Sequence, residues 1–226
     1  MAKVNQKTKE MERQQNVEAT VSKTEQFYNE NKKAIWGVII VALVIGLGVL
    51  AYSKYVYQPK CAEAMEHMFP AELSFQKGEY DLALNGDGNV DGFVQVIDEY
   101  GAKAGKVVYF YAGVCELQLG NFDDAITYLK KYDGKDVILA ARAESCKGDA
   151  YVGLEDYGSA AKCFMNAAAK NGVNALGAGY LVKAGLAYEK LGENAKAFDC
   201  YKTIKEDYPQ SVEAYDIDRY IQRVAE

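Results

Sequence analysis

The most prominent hydrophobic pattern is an uncharged run near the N-terminus, AIWGVIIVALVIGLGVLAY, at residues 34–52. A helix of about 20 apolar residues crosses a hydrocarbon core of about 30 Å, so this run is long enough to be a transmembrane helix. Trp36 and Tyr52 mark its two ends, where amphipathic rings favour the headgroup layer. Lys32 and Lys54 flank it and can extend their amines into water. The pattern therefore predicts one membrane anchor.

The polar tail before the run, residues 1–33, argues against a cleaved signal peptide, which has a shorter basic start and a small-x-small cleavage site. Positive charge is slightly greater before the run than after it, which favours a cytoplasmic N-terminus and an exported C-terminal body. Ala42 and Gly46 form a small-x-x-x-small pair that could seat another transmembrane helix, although such pairs also arise by chance in Ala/Gly-rich spans.

After the run, helical periodicity recurs in three similar segments about 35 residues apart, a spacing typical of helical repeats. Each segment has a small residue, a turn, an aromatic residue, an alanine and a large residue at matching offsets. The small residues are Gly113, Gly148 and Gly185, the turn residues are Gly120, Glu155 and Gly192, and the aromatic residues after the turn are Phe122 and Tyr157, with Asn194 in the third segment instead. The alanines are Ala125, Ala160 and Ala197, and the large residues are Leu129, Phe164 and Tyr201. Small residues let two helices approach, and large ones fill the space between units. The pattern predicts a helix, a tight turn and a second helix in each segment.

This signature, closed by Pro209 in the third unit, resembles the tetratricopeptide repeat over residues 105–209. Glu116 departs from it, because Tyr151 and Tyr188 supply an aromatic ring at the matching position. The resemblance implies an all-α fold, in which the single transmembrane helix is followed by a right-handed helical solenoid.

Shorter signals complete the predicted organisation. The segment QKGEYDLAL places Gly78, Tyr80 and Ala83 at repeat-like positions, and an amphipathic helix is predicted from Phe93 to Tyr100 after a Gly/Asp-rich loop. A last helix, Val212 to Val224, would cap the stack. The expected parts are a polar tail (1–33), a transmembrane helix (34–52), a linker helix with a degenerate first repeat and the loop (53–104), three repeats (105–209) and a capping helix (210–226).

Composition excludes several function classes. A net charge of −6 argues against a nucleic-acid partner, because phosphate binding depends on clustered Lys and Arg. The five cysteines are widely spaced and accompany one histidine, so no zinc site and no cofactor are predicted. They are Cys61, Cys115, Cys146, Cys163 and Cys200. Buried free thiols are expected, and disulfides remain an alternative in an oxidising compartment.

The Gly/Asp-rich loop also carries a partial calcium motif. Asp87, Asn89, Asp91 and Gly92 match the first half of a calcium-binding loop, and Asp98 stands where a bidentate Glu is expected. The alternative, which we favour, is a turn capped by its own Asp and Asn side chains.

No catalytic constellation is visible in the sequence. The single histidine, His67, has no Ser or Cys arranged around it in a nucleophile motif. The sequence therefore predicts that the protein is not an enzyme.

The tetratricopeptide resemblance implies a partner groove on the concave face, which the first helix of each unit lines. Mapped onto this sequence, the groove residues are Phe110, Val114, Leu117, Arg142, Ser145, Asp149, Val152, Val182, Leu186 and Glu189. Buried apolar area would anchor a partner there, and charges would set its register. The alternative for some of these residues is a place in the core between repeats.

The whole layout, a short polar head, one span and an acidic repeat body, is similar to the YfgM type of bacterial inner-membrane protein. That resemblance implies an ancillary subunit of a SecYEG-type translocon, with chaperone-like contacts to secreted and envelope proteins in the periplasm. A structural scaffold of an envelope assembly or secretion complex is the alternative, and an enzyme is a remote one.

Overall fold

A computed structural model of the chain describes residues 2–171 and 176–225. The chain divides into two compact units, Met1–Gln58 and Pro59–Glu226. Both are helical, and no β-strand occurs within the described ranges. The all-α prediction is therefore confirmed.

The first unit contains helix α1, Ala2–Tyr52, followed by a π-helical turn, Ser53–Tyr57. The helix begins at Ala2, so it includes nearly all of the predicted polar tail, which has neither Gly nor Pro to interrupt it. Side chains of the uncharged run are exposed, with Val44 at 61% and Leu50 at 66%. An 18-residue window of this helical region has a mean hydropathy of 2.8 and contains no buried residue. This region is the single candidate membrane span among the described residues.

The second unit is a succession of helices in which each, from α3 onwards, packs on the next, while α2 contributes buried side chains to the first core cluster. They are α2 (Gln58–Gln76, which starts one residue before the unit), α3 (Tyr80–Asn85), α4 (Phe93–Tyr100), α5 (Val107–Leu119), α6 (Phe122–Lys131), α7 (Val137–Gly153), α8 (Tyr157–Asn171), α9 (Leu176–Lys190), α10 (Asn194–Asp207) and α11 (Ile217–Val224). Helix α4 occupies the residues that the amphipathic pattern predicts. Three packed pairs, α5 with α6, α7 with α8 and α9 with α10, occupy the positions of the three predicted repeats.

A left-handed residue ends the first helix of each repeat. Gly120 and Gly192 have φ values of 84° and 73°, and Glu155 takes the same role with φ 59°. The following amide closes each turn: Asp156 N donates to the Tyr151 carbonyl at 2.9 Å. Glycine adopts this conformation without strain, whereas a residue with a Cβ does not.

Small residues allow the two helices of each repeat to pack closely. A Cβ placed on Gly113 would lie 2.6 Å from Cγ of Leu129. A Cβ placed on Gly185 would lie at least as close to the ring of Tyr201. Leu129 and Tyr201 are fully buried, as are Ala125 and the other signature alanines. The core is thus built from the contacts that the repeat pattern implies.

The C-terminal helix begins later than the sequence predicts. A 3-10 turn, Glu213–Tyr215, precedes α11, which starts at Ile217 rather than Val212. Val212 and Tyr215 are 87% and 94% exposed, whereas Ile217 is 2% exposed. The helix therefore starts where an apolar residue first reaches the core.

The cysteines are all free thiols. Burial raises the pKa of Cys115 to about 12 and those of Cys146 and Cys200 to about 11. Buried neutral thiols of this kind act as small apolar side chains.

Candidate partner-binding groove

Two of the predicted groove residues lie in the core. Phe110 is 5% exposed and packs with Leu129 and Ala143, and its ring centroid lies 5.8 Å from that of Tyr132. Ser145 is also 5% exposed. Because both side chains are buried, the prediction that they line the surface of the groove is corrected: Phe110 packs in the core and Ser145 is buried.

The remaining predicted residues fall into two sets. Val114, Leu117 and Val182 are half-buried, and Arg142 is exposed. The other four, Asp149, Val152, Leu186 and Glu189, line one cleft of about 650 Å³. Its complete lining is Asp149, Val152, Tyr157, Phe164, Lys183, Leu186, Ala187, Glu189, Lys190 and Arg223. We call this cleft the groove.

One ion pair joins α7 to α9 across the groove. Lys183 Nζ donates to both carboxylate oxygens of Asp149, at 2.7 and 2.9 Å. The same amine lies 5.5 Å from the ring centroid of Phe164, within the range of a cation–π contact. Lys183 is consequently held in one position by two neighbours.

A second ion pair joins α9 to α11. Arg223 Nη2 lies 2.6 Å from Glu189 Oε1, which also accepts the Tyr201 hydroxyl at 2.5 Å. Burial and the bond to Glu189 raise the pKa of Tyr201. The hydrogen bond to Glu189 raises the pKa of Arg223, whose guanidinium also stacks on Tyr220 at 4.8 Å. Glu189 is thus fixed by two donors.

Apolar groups are exposed between these two ion pairs. Val152 is 39% exposed and Leu186 is 40% exposed, and both line the groove. Exposed aliphatic side chains in a concave site are typical anchors for a bound side chain.

The sequence reasoning missed the cations of the groove. Lys183, Lys190 and Arg223 were absent from the predicted set, although each pairs with or neighbours a predicted residue. A signal was available, because Asp149 and Lys183, like Glu189 and Arg223, are 34 residues apart, the length of one tetratricopeptide repeat.

The partial calcium motif uses its oxygens within the fold. Asp87 Oδ1 accepts from the backbone amides of Asn89 and Val90, both at 2.9 Å, and this lowers the Asp87 pKa. Asp91 Oδ2 pairs with His67 Nδ1 at 2.6 Å. Asp98 lies on the exposed face of α4. In the part of the chain described, no three His, Cys, Asp or Glu side chains form a metal-binding group.

Comparisons with known proteins agree with this architecture. Two segments, residues 107–133 and 180–211, match the tetratricopeptide repeat family model. Five chains of solved structures are similar, among them the crystal structure of MamA protein, at a TM-score of 0.51 and 22% identity over 74% of this chain and 86% of that chain. At that identity the likeness shows the fold alone. No curated protein matches the sequence.

Two segments of the all-helical second unit therefore match tetratricopeptide repeats, and such repeats imply a protein-interaction module. One apolar helix near the N-terminus is suited to anchor it in a membrane.

Proposed function

We propose that this protein is a membrane-anchored binding module that holds segments of partner proteins in the groove formed by α7, α9 and α11. The observation that carries the proposal is the exposure of Val152 and Leu186 between two ordered ion pairs. Apolar side chains of a partner would be buried there, and the fixed charges would discriminate among partners.

The finer proposal concerns location and partner. It places the anchor in a bacterial inner membrane, with a cytoplasmic N-terminus and a periplasmic repeat unit beside a SecYEG-type translocon. Its support is the similarity in layout to the YfgM type and the slight excess of Lys before the span. In that role the groove would receive secreted and envelope proteins as they emerge.

A photo-crosslinking experiment in cells tests both levels of the proposal. A photoreactive amino acid replaces Leu186 in the groove and, in a matched control, Leu119 at the end of α5, because both leucines are 40% exposed. After irradiation the tagged protein is extracted in mild detergent, and its adducts are identified by mass spectrometry. We expect protein adducts at Leu186 that the Leu119 variant lacks.

The identity of the adducts separates the alternatives. Translocon subunits in near-equal amounts, with mixed substoichiometric clients, would support the translocon proposal. One set of envelope-assembly proteins at fixed stoichiometry would instead favour the scaffold. Equal adducts at both positions, or none, would contradict a partner-binding groove.

A further inference from the structure

We propose that the groove selects partner segments in which an aliphatic residue has acidic neighbours. The inference rests on the proposed function and specifies the chemistry of the segment that the groove binds. It follows from the balance of unused hydrogen-bond donors and acceptors among the charged residues that line the groove.

The lining of the groove is net positive, whereas the chain as a whole is negative. Its lining has three cations, Lys183, Lys190 and Arg223, and two carboxylates, Asp149 and Glu189. The chain as a whole carries a net charge of −6. A locally positive cleft in an anionic protein attracts anionic segments more strongly than the rest of the surface does.

Both carboxylates already have partners. Asp149 uses its two oxygens on Lys183, at 2.7 and 2.9 Å. Glu189 Oε1 accepts from Arg223 and from Tyr201, and its side chain is only 20% exposed. A cationic partner would therefore meet two carboxylates whose charge an existing ion pair already balances.

The cations, by contrast, keep unused donors. Lys190 is exposed and has no hydrogen-bond or ion-pair partner among the side chains that the structure describes. Arg223 Nη2 donates to Glu189, and the guanidinium also interacts with Tyr201. Because a guanidinium has five N–H groups, donors are left over for a partner. A partner carboxylate can accept from these groups without breaking either ion pair.

The apolar part of the groove lies beside these two cations. Val152 on α7 and Leu186 on α9 form its exposed aliphatic surface. Lys190 follows Leu186 by one helical turn, and Arg223 is paired with Glu189, three residues after Leu186. The segment that fits is consequently one in which an aliphatic residue has acidic neighbours.

Three short peptides with blocked ends test the inference: EELEE, QQLQQ and KKLKK, each fluorescently labelled. Blocked ends ensure that only side-chain charge differs. Binding to the full-length protein in detergent is measured by fluorescence anisotropy at low salt. We expect EELEE to bind about tenfold more tightly than QQLQQ, with the difference shrinking as salt screens the charges.

Lys190 provides the decisive variant, because it is exposed and makes no hydrogen bond or ion pair with the side chains that the structure describes. Lys190→Gln should weaken EELEE binding about fivefold and leave QQLQQ unchanged. Lys162→Gln, at an exposed lysine of α8 outside the groove, should change neither affinity. Arg223→Gln should weaken EELEE binding as well, and its thermal midpoint, followed by circular dichroism, reports whether α11 stays folded.

Equal affinity for all three peptides, a preference for KKLKK, or no binding by any of them would overturn the inference. An unchanged EELEE affinity in Lys190→Gln would also overturn it. Adducts at Leu186 without an acidic preference would remove this inference and leave the partner-binding function standing. Absence of adducts specific to Leu186 would remove the function itself.

Discussion

Gly148 lies directly against the ring of Phe164: a Cβ at Gly148 would be 2.5 Å from Cε1 and 2.7 Å from Cδ1 of that ring. Phe164 is 1% exposed, so the ring has little room to move. Gly148→Ala should therefore destabilise the repeat unit by about 1 to 2 kcal/mol, because overpacking outweighs the gain in helix propensity. Urea denaturation followed by circular dichroism measures the change.

A matched substitution in the neighbouring helix gives the control. Gly158 in α8 would place its Cβ 3.6 Å from Asp156 Oδ1, an ordinary contact. Gly158→Ala should leave stability within about 0.5 kcal/mol of the wild type. Equal effects at Gly148 and Gly158 would contradict the packing argument.

The turn between α7 and α8 should be improved by glycine. Glu155 has φ 59°, in the left-handed region where a Cβ costs energy, and it corresponds to Gly120 and Gly192. Glu155→Gly should raise the free energy of unfolding by about 0.5 kcal/mol. Gly192→Ala, which imposes the reverse change at φ 73°, should lower it by about 1 kcal/mol. A stabilised Gly192→Ala variant would count against this explanation.

The hydroxyl of Tyr201 should contribute to stability through Glu189. The ring is fully buried and the hydroxyl donates to that carboxylate, so Tyr201→Phe removes a charge-assisted hydrogen bond. We expect a loss of about 1.5 kcal/mol in a denaturant titration. Tyr180→Phe is the control, because Tyr180 is 9% exposed and has no hydroxyl partner among the described residues. A larger loss in Tyr180→Phe would contradict the assignment.

The single histidine should titrate above its ordinary value. The hydrogen bond to Asp91 is the largest cause that raises the pKa of His67 above 6.5. The pKa of His67 is higher in the folded protein than in the unfolded chain. Protonation of His67 therefore stabilises the fold: this contribution is fully present below pH 6.5 and is lost as the pH rises through the folded-state pKa. An NMR titration of the imidazole resonance should show the raised pKa, and Asp91→Asn should return it towards 6.5.

A charge in the apolar run should weaken the membrane anchor. Val44 is near the middle of residues 34–52 and is 61% exposed. Val44→Lys should cost about 2.5 to 3.5 kcal/mol of insertion free energy and increase the fraction released by alkaline extraction of membranes. Val44→Leu should remain in the membrane pellet. Equal release of both variants would show that this segment is not the anchor.

The repeat packing could be predicted because it is local and periodic. Gly113 with Leu129, and Gly185 with Tyr201, belong to adjacent helices joined by a tight turn, so sequence spacing alone brings them together. Even the departure at Glu116 is accommodated locally, since its carboxylate accepts from the Asn121 side chain at 2.8 Å.

The surface of the groove could be predicted only in part. Helices α5 and α7 carry apolar residues around most of their circumference, so periodicity did not show that Phe110 and Ser145 face inwards. The role of Arg223 depends on the residue at which α11 begins and on which face of α11 packs against α10. Those features follow from tertiary contacts of Ile217, which the sequence pattern does not reveal.

The contact between Arg223 and Glu189 also makes the groove sensitive to motion of α11. A helix of eight residues is too short to be stable without its packing, so fluctuations that undock it should be more frequent than global unfolding. Each such opening would withdraw one cation and uncover the Glu189 carboxylate, leaving the groove electrically neutral. The electrostatic preference of the groove would then vary with time. The amide hydrogen-exchange rates of α11 would measure how often the helix undocks.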